Sequence, residues 1–167
     1  MKTYKIVAIL SVMILPISRS TGAFSKYYPP GSIVHFKTVT APEDVEFARK
    51  YVGRYFEGEE PAAWDRAIRD GEIKIARADL DDDGVPEVFI KLGTSMWCGS
   101  SGCQGLLLQN RRGCWELVDK PTISEEATII MTEKRFGYHK LHTGDDIYTF
   151  RGKTYEILSL EDGRIVR

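Results

Sequence analysis

The spacing of apolar residues changes along the chain from a helical period to an alternating one. Across residues 40–56, apolar side chains recur every three or four positions, which predicts an amphipathic helix. Thr40 is placed to act as its N-cap, and Glu43 stands three residues later, as in a capping box. A second, short helix is predicted over residues 61–70. The glycine that follows directly is expected to end it.

After Gly71, apolar and polar residues alternate, which predicts β-strands. The turn residues at 111–113 and 151–152 predict two hairpins. The predicted fold is α+β, with two N-terminal helices packed on one face of an antiparallel, meander-like sheet of about five to seven strands. Strands are predicted at residues 32–36, 73–80, 88–92, 104–109, 115–118, 128–131, 146–150 and 153–158, with a further edge strand within 160–167.

The first 23 residues have the three parts of a secretory signal peptide. Two lysines supply positive charge, residues 6–17 form an apolar segment too short to span a bilayer, and residues 21–23 offer small side chains for cleavage after Ala23. Cleavage leaves residues 24–167 as a single α+β domain without a stable membrane anchor. A periplasmic or secreted location is predicted, and an uncleaved N-terminal anchor is the alternative.

The charge of the chain bears on its partners. Three basic residues and no acidic residue lie in the first 23 positions, so cleavage changes the formal net charge from −1 to −4. A negatively charged chain is not attracted to nucleic acid or to an anionic membrane. We therefore expect a protein partner in the cell envelope or outside the cell, and no nucleic acid.

An acidic loop is the strongest chemical feature of the sequence. Five carboxylates lie within residues 79–87, a density of negative charge that needs either a cation or full solvation. The spacing matches an oxygen-ligand calcium loop, with carboxylates at its first, third and fifth positions, then a glycine, a backbone carbonyl and a later acid. A solvated acidic turn is the alternative. The sequence predicts a structural Ca²⁺ site with the ligands Asp79, Asp81, Asp83, Val85 through its carbonyl, and Glu87.

The acidic loop lacks the second half of the helix–loop–helix calcium motif. Ile90 stands where that motif has a bidentate glutamate, and a β-type apolar run replaces the second helix. The loop therefore resembles the loop-then-strand calcium sites of FG-GAP repeats and dockerin-like modules. Only one copy is present, so the repeat architectures of those proteins are not expected.

Export makes a disulfide between Cys98 and Cys103 the expected state of these cysteines. The intervening Gly-Ser-Ser-Gly lets the backbone turn tightly enough to bring two sulfurs together. A bridge from Cys103 to Cys114 is less favoured, because a hairpin turning at residues 110–113 places Cys114 opposite Gln109. The other alternative, a metal site built from Cys98, Cys103 and a distant histidine, lacks the ligand spacing of zinc sites.

The order of motifs resembles a group of small exported bacterial proteins. The acidic loop, residues 97–103 (Trp-Cys-Gly-Ser-Ser-Gly-Cys), residues 137–139 (Gly-Tyr-His) and the segment 148–155 follow one another as in that group. The resemblance covers residues 72–158, and Lys140 departs from the acid expected there. It implies the fold and export, and it brings no activity.

The sequence contains no Gly-x-Ser-x-Gly elbow, and its three histidines, His35, His139 and His142, are expected to be structural. A non-catalytic binding protein of the inhibitor or immunity type is therefore predicted, in which the disulfide-closed loop enters a cleft of its partner. A cation-dependent envelope hydrolase is the alternative, with His139 or Glu87 as the base. The residues expected to contact the partner are Trp97, Gly99, Ser100, Ser101 and Gly102.

Overall fold

The computed structural model describes residues 30–56, 60–144, 146–158, 160–161 and 164–165. Two helices, a seven-stranded sheet and a five-stranded sheet lie in three layers, with the seven-stranded sheet in the middle. The predicted signal peptide, residues 1–23, lies outside the described residues. Within the described parts of the chain, no helix is long and apolar enough to cross a membrane.

The elements in chain order are β1 (Gly31–Ile33), β2 (Lys37–Thr38), α1 (Pro42–Tyr55), α2 (Pro61–Arg69), β3 (Ile73–Ala78), β4 (Glu87–Leu92), β5 (Cys98–Gly99), β6 (Gly102–Arg111), β7 (Cys114–Asp119), β8 (Thr122–Ile123), β9 (Ile129–Arg135), β10 (Tyr138–Thr143), β11 (Asp146–Phe150), β12 (Tyr155–Leu158), β13 (Leu160–Glu161) and β14 (Arg164–Ile165).

Both helices begin at a proline, whose fixed φ suits the first helical position. The N-cap of α1 is Ala41, and no side chain caps this end of the helix, so the predicted Thr40 cap and capping box are wrong. Glu43 lies in the first turn instead, where an acid interacts favourably with the helix dipole. The helices bury an apolar stripe against the central sheet, formed by Ala48, Tyr51, Val52, Trp64, Ala67 and Ile68.

The central sheet places the acidic loop between two neighbouring strands. Strands β3 and β4 are antiparallel and in unbroken register from Ile73 opposite Leu92 to Ala78 opposite Glu87. Strand β6 pairs with the other edge of β4 and also with β5, β7 and β8. Glu87 is therefore both the last residue of the predicted calcium loop and the first residue of a central strand.

Both faces of the central sheet are covered, which explains the runs of consecutive apolar residues in β4 and β6. Ile90 and Leu108 pack against the helices, whereas Phe89 and Leu107 pack against the five-stranded sheet. A strand that is buried on both faces does not alternate between apolar and polar residues. The second core is completed by Leu141, Tyr148, Phe150 and Tyr155 of the five-stranded sheet.

The predicted α+β class is confirmed, but a single meander sheet of five to seven strands is wrong. The five-stranded sheet has the order β1-β9-β10-β11-β12 and is separate from the seven-stranded sheet. Strands β1 and β2 precede the helices, so the helices are not the first elements of the fold. Strand β10 is absent from the prediction because its sequence, Tyr-His-Lys-Leu-His-Thr, is polar at most positions. Within residues 160–167, the two short strands β13 and β14 pair with each other.

The β6–β7 hairpin is tighter than the sequence predicts. Arg112 and Gly113 have φ values of 54° and 84°, so these two residues form the turn and Arg111 lies opposite Cys114. The predicted pairing of Cys114 with Gln109 is therefore wrong, because it assumes a longer turn. Cys114 is a free, exposed thiol, and Cys103 pairs with Cys98 instead.

Candidate functional site

The acidic loop is folded around the carboxylate of its first residue. The Asp79 carboxylate accepts hydrogen bonds from the backbone N–H groups of Asp83, at 3.2 Å, and of Gly84, at 2.8 Å. Gly84 has a φ of 85°, a left-handed conformation that suits glycine. The loop therefore closes on itself in the way that its spacing predicts.

Three acids converge within this loop. Asp79, Asp81 and Glu87 each offer a carboxylate oxygen, and these oxygens all lie within 4.8 Å of one another. Asp79 and Asp81 are half-buried, and Glu87 is buried, with 1% of its surface exposed. The loop thus collects three negative charges at the end of the central sheet.

One oxygen of this cluster lacks a hydrogen-bond donor. Oε2 of Glu87 accepts a hydrogen bond from the backbone N–H of Leu80 at 2.8 Å. Oε1 of Glu87 is buried, and it has no hydrogen-bond partner among the described residues. A buried carboxylate oxygen without a donor is costly, so a cation held by the cluster would stabilise it.

The environment raises the pKa of one acid of the cluster and lowers the pKa of another. Burial, with the charges of Asp81 and Asp79 adding to it, raises the pKa of Glu87 to about 7, although the Leu80 N–H acts against the rise. Burial also acts to raise the pKa of Asp79, but its hydrogen bonds from backbone N–H groups, that of Gly84 foremost, outweigh burial and lower this pKa. The environment therefore favours the ionised form of Asp79. It disfavours the ionised form of Glu87, which a nearby positive charge would stabilise.

The other two acids of the loop lie outside the cluster. Oδ1 of Asp83 accepts a hydrogen bond from the backbone N–H of Val85 at 2.7 Å, and the Val85 side chain is exposed. Asp82 pairs with Lys134, and its Oδ1 lies 3.3 Å from Nε2 of His139. The structure thus brings together the carboxylates of three of the predicted ligands, Asp79, Asp81 and Glu87.

The five-stranded sheet and β6 also form hydrogen bonds to the acidic loop. The backbone N–H of His139 donates to the Leu80 carbonyl at 2.7 Å, and Nε2 of Gln109 donates to Oδ2 of Asp81 at 3.3 Å. The Tyr138 hydroxyl is hydrogen-bonded to Gln109. The sequence does not identify Gln109 and Lys134 as neighbours of the loop. Gln109 reaches the loop because β6 pairs with β4, and Lys134 reaches it because the two sheets pack together.

The histidines near this region form hydrogen bonds to the backbone. Nδ1 of His139 lies 2.6 Å from the Met131 carbonyl oxygen, and Nδ1 of His142 lies 3.2 Å from the Ala127 carbonyl oxygen. His139 is therefore the histidine that meets the acidic loop, through Asp82. Its ring is fixed between a strand backbone and an acid.

The disulfide between Cys98 and Cys103 is confirmed. It closes a small hairpin in which Gly99 pairs with Gly102, and Ser100 and Ser101 form the exposed turn. The hairpin lies against the turn after β10: a Cβ on Gly144 would lie 2.7 Å from the Ser101 carbonyl oxygen. The predicted recognition loop is thus a braced structure with an exposed tip.

Trp97 anchors the base of this hairpin. Its ring lies 4.9 Å from the ring of Phe56 and 6.4 Å from the ring of Trp64, measured between centroids, and it is half-buried. Met96 beside it is 71% exposed. A shallow hollow of about 440 Å³ adjoins the hairpin and carries no charged side chain; its lining is Met96 to Gly102, Gln104 and Thr122.

The sequence matches no protein-family model, and comparisons with the curated proteins and with the solved structures find no match.

Proposed function

We propose that Asp79, Asp81 and Glu87 bind a divalent cation, and that this cation stabilises the acidic loop. The observation that carries the proposal is Oε1 of Glu87, which is buried beside two further carboxylates and has no hydrogen-bond partner among the described residues. A bound cation would neutralise the cluster and give this oxygen the partner that it lacks among the described residues. The backbone carbonyl of Val85 and the carboxylate of Asp83 are the ligands that the loop spacing adds.

Calcium is the cation that best fits these donors. The cluster offers carboxylate oxygens, whereas zinc sites are built mainly from cysteine and histidine. Magnesium demands near-ideal octahedral geometry and keeps several waters, whereas calcium accepts irregular shells of six to eight oxygens. The positions of Asp79, Asp81 and Glu87 in the loop are those of calcium ligands.

We further propose that the protein is an exported, non-catalytic binding protein of the inhibitor or immunity type. The disulfide-closed hairpin supports this function because its exposed tip is braced at its base and against Gly144. A pre-organised loop loses little conformational entropy on binding, which favours its use in recognition. The disulfide also supports export, since such bonds persist in oxidising compartments. The contact residues proposed are Trp97, Gly99, Ser100, Ser101 and Gly102.

One observation favours the second candidate function, a cation-dependent hydrolase. His139 reaches Asp82 of the acidic loop, which places a histidine beside the proposed cation. Both nitrogens of its ring are engaged, however, one by the Met131 carbonyl and one by Asp82. Glu87 is buried and has little access to a substrate. We therefore place recognition ahead of hydrolysis.

Replacement of Ser100 by arginine tests the proposed recognition hairpin. The exposed turn accommodates the larger side chain, so we expect the Ser100→Arg variant to unfold at the same temperature as the wild type and to lose its partner. The oxidised wild type, Ser100→Arg and the control Lys50→Gln would be immobilised and exposed to proteins of the envelope and culture medium, with captured proteins identified by mass spectrometry. A protein retained by the wild type and the control but absent from Ser100→Arg supports the hairpin. Equal capture by all three would move the interface elsewhere.

A further inference from the structure

A lysine from the five-stranded sheet lies against the proposed cation site. Nζ of Lys134, on β9, forms an ion pair with the Asp82 carboxylate and lies 3.5 Å from the backbone carbonyl oxygen of Asp81. The side chain of Asp81 is one of the three clustered carboxylates. A positive charge therefore stands beside the place where the cation would bind.

Asp82 forms an ion pair with this lysine and is not one of the three clustered acids. Its backbone has a φ of 61°, a left-handed conformation that aspartate tolerates better than most residues. Its two carboxylate oxygens contact Lys134 and His139, both from the five-stranded sheet. Asp82 is thus the charge partner of Lys134, and in the sequence it stands between two proposed ligands.

We infer that Lys134 and Asp82 form a charge pair that sets the affinity of the site for its divalent cation. This inference rests on the proposed cation site. The ammonium group of Lys134 repels a divalent cation and lowers the affinity, and the Asp82 carboxylate partly offsets that repulsion. Lys134 contributes this charge from the sheet that faces the loop, so the packing of the two sheets tunes the site.

The size of the effect follows from the Coulomb repulsion between Lys134 and the cation in a partly solvated setting. The Lys134 side chain is 31% exposed and the Asp82 side chain 63% exposed, so water and salt weaken their fields. Removal of one unit charge near a divalent ion at such a site changes its dissociation constant about threefold to tenfold. A lysine-weakened site suits a compartment rich in calcium, where extracellular modules bind with dissociation constants on the order of 10⁻⁴ to 10⁻³ M.

Opposite charge substitutions test this inference. Isothermal titration of the oxidised protein with calcium chloride, at one pH and one ionic strength, would compare the wild type with Lys134→Gln and Asp82→Asn. Lys134→Gln removes the repelling charge and is expected to tighten calcium binding about threefold to tenfold. Asp82→Asn leaves Lys134 without its partner and is expected to weaken binding by a similar factor, while asparagine retains the left-handed backbone.

Lys50→Gln is the matched control, because it removes the same charge from α1, on the other side of the central sheet. We expect its calcium affinity to equal that of the wild type. If the wild type binds calcium and Lys134→Gln binds no more tightly, or Asp82→Asn binds no more weakly, the charge-pair inference is wrong although the cation site stands. If the wild type binds no calcium, the cation site and the charge-pair inference are both overturned.

Discussion

Glu87 is the residue on which the proposed site depends most. It is the first residue of a central strand, and its burial follows from the register of β3 and β4. One of its oxygens is satisfied by the Leu80 N–H, and the other has no partner within the described residues. A charged carboxylate in such a position destabilises the fold unless a proton or a cation neutralises it.

The raised pKa of Glu87 predicts an unusual pH dependence when cations are removed. The folded state holds the Glu87 proton up to about pH 7, whereas the unfolded state releases it near 4.5. The folded state therefore binds more protons between these values, and stability in chelator should fall as the pH rises through this window. The loss is on the order of 3 kcal/mol if no other group compensates.

Urea unfolding in chelator between pH 4.5 and 8 measures this dependence. In Glu87→Gln the contribution of Glu87 to the pH slope should vanish, and this variant should be more stable than the wild type at the upper end of the range. Identical slopes in the wild type and Glu87→Gln would show that Glu87 is not the group responsible.

The spacing of residues in the acidic loop predicted part of the candidate site, because a loop of this kind is a local structure. Asp79, Asp81 and Glu87 each accept a hydrogen bond from a backbone N–H at most seven positions away. Lys134 and His139 lie more than 50 positions from Asp82. Their approach depends on how two sheets pack, and the spacing of residues in one loop carries no information about it.

At the level of elements, a half-buried cluster of charges joins the central sheet to the connection before β9. Lys74 and Lys91 lie opposite each other on β3 and β4. Glu125 accepts a hydrogen bond from each, at 2.7 Å and 2.5 Å. Although burial acts to raise the pKa of Glu125, the two lysines outweigh it and lower this pKa. Without this acid, two like charges would face each other across neighbouring strands.

Glu125→Gln is therefore expected to destabilise the protein by about 1–2 kcal/mol, since the amide leaves the two lysines without a counter-charge. The control is Glu126→Gln, an exposed neighbour on the same connection, which should change stability by less than about 0.5 kcal/mol. Urea unfolding of both variants measures the difference. Equal effects would show that the Lys74–Glu125–Lys91 cluster contributes nothing specific.

The elements that the sequence predicted well are those with a clear period or a local turn signal. Helices α1 and α2 and the hairpin of β11 and β12 are found close to their predicted bounds. Strand β10 has only Leu141 as an aliphatic residue, yet it lies between β9 and β11. Neighbouring strands determine its conformation, which is why its own composition does not reveal it.

At the scale of the whole molecule, strand β10 connects the two candidate functional regions. Its first residues meet the acidic loop, where the His139 N–H donates to the Leu80 carbonyl. At its other end, Gly144 follows the strand and lies against Ser101 of the disulfide hairpin. The five-stranded sheet therefore supports both the proposed cation site and the proposed recognition hairpin. The split into two sheets was not predicted, because alternation along a strand does not say which strand it pairs with.

Thermal unfolding of the oxidised protein tests whether a calcium ion stabilises this fold through the acidic loop. Unfolding temperatures would be compared in excess calcium, in excess magnesium and in chelator, for the wild type and for Asp81→Ala. We expect calcium to raise the unfolding temperature of the wild type by several degrees, magnesium to have little effect, and Asp81→Ala to lose the calcium response. An unfolding temperature that is the same in calcium and in chelator would show that calcium does not stabilise the fold and that residues 79–87 form a solvated acidic turn.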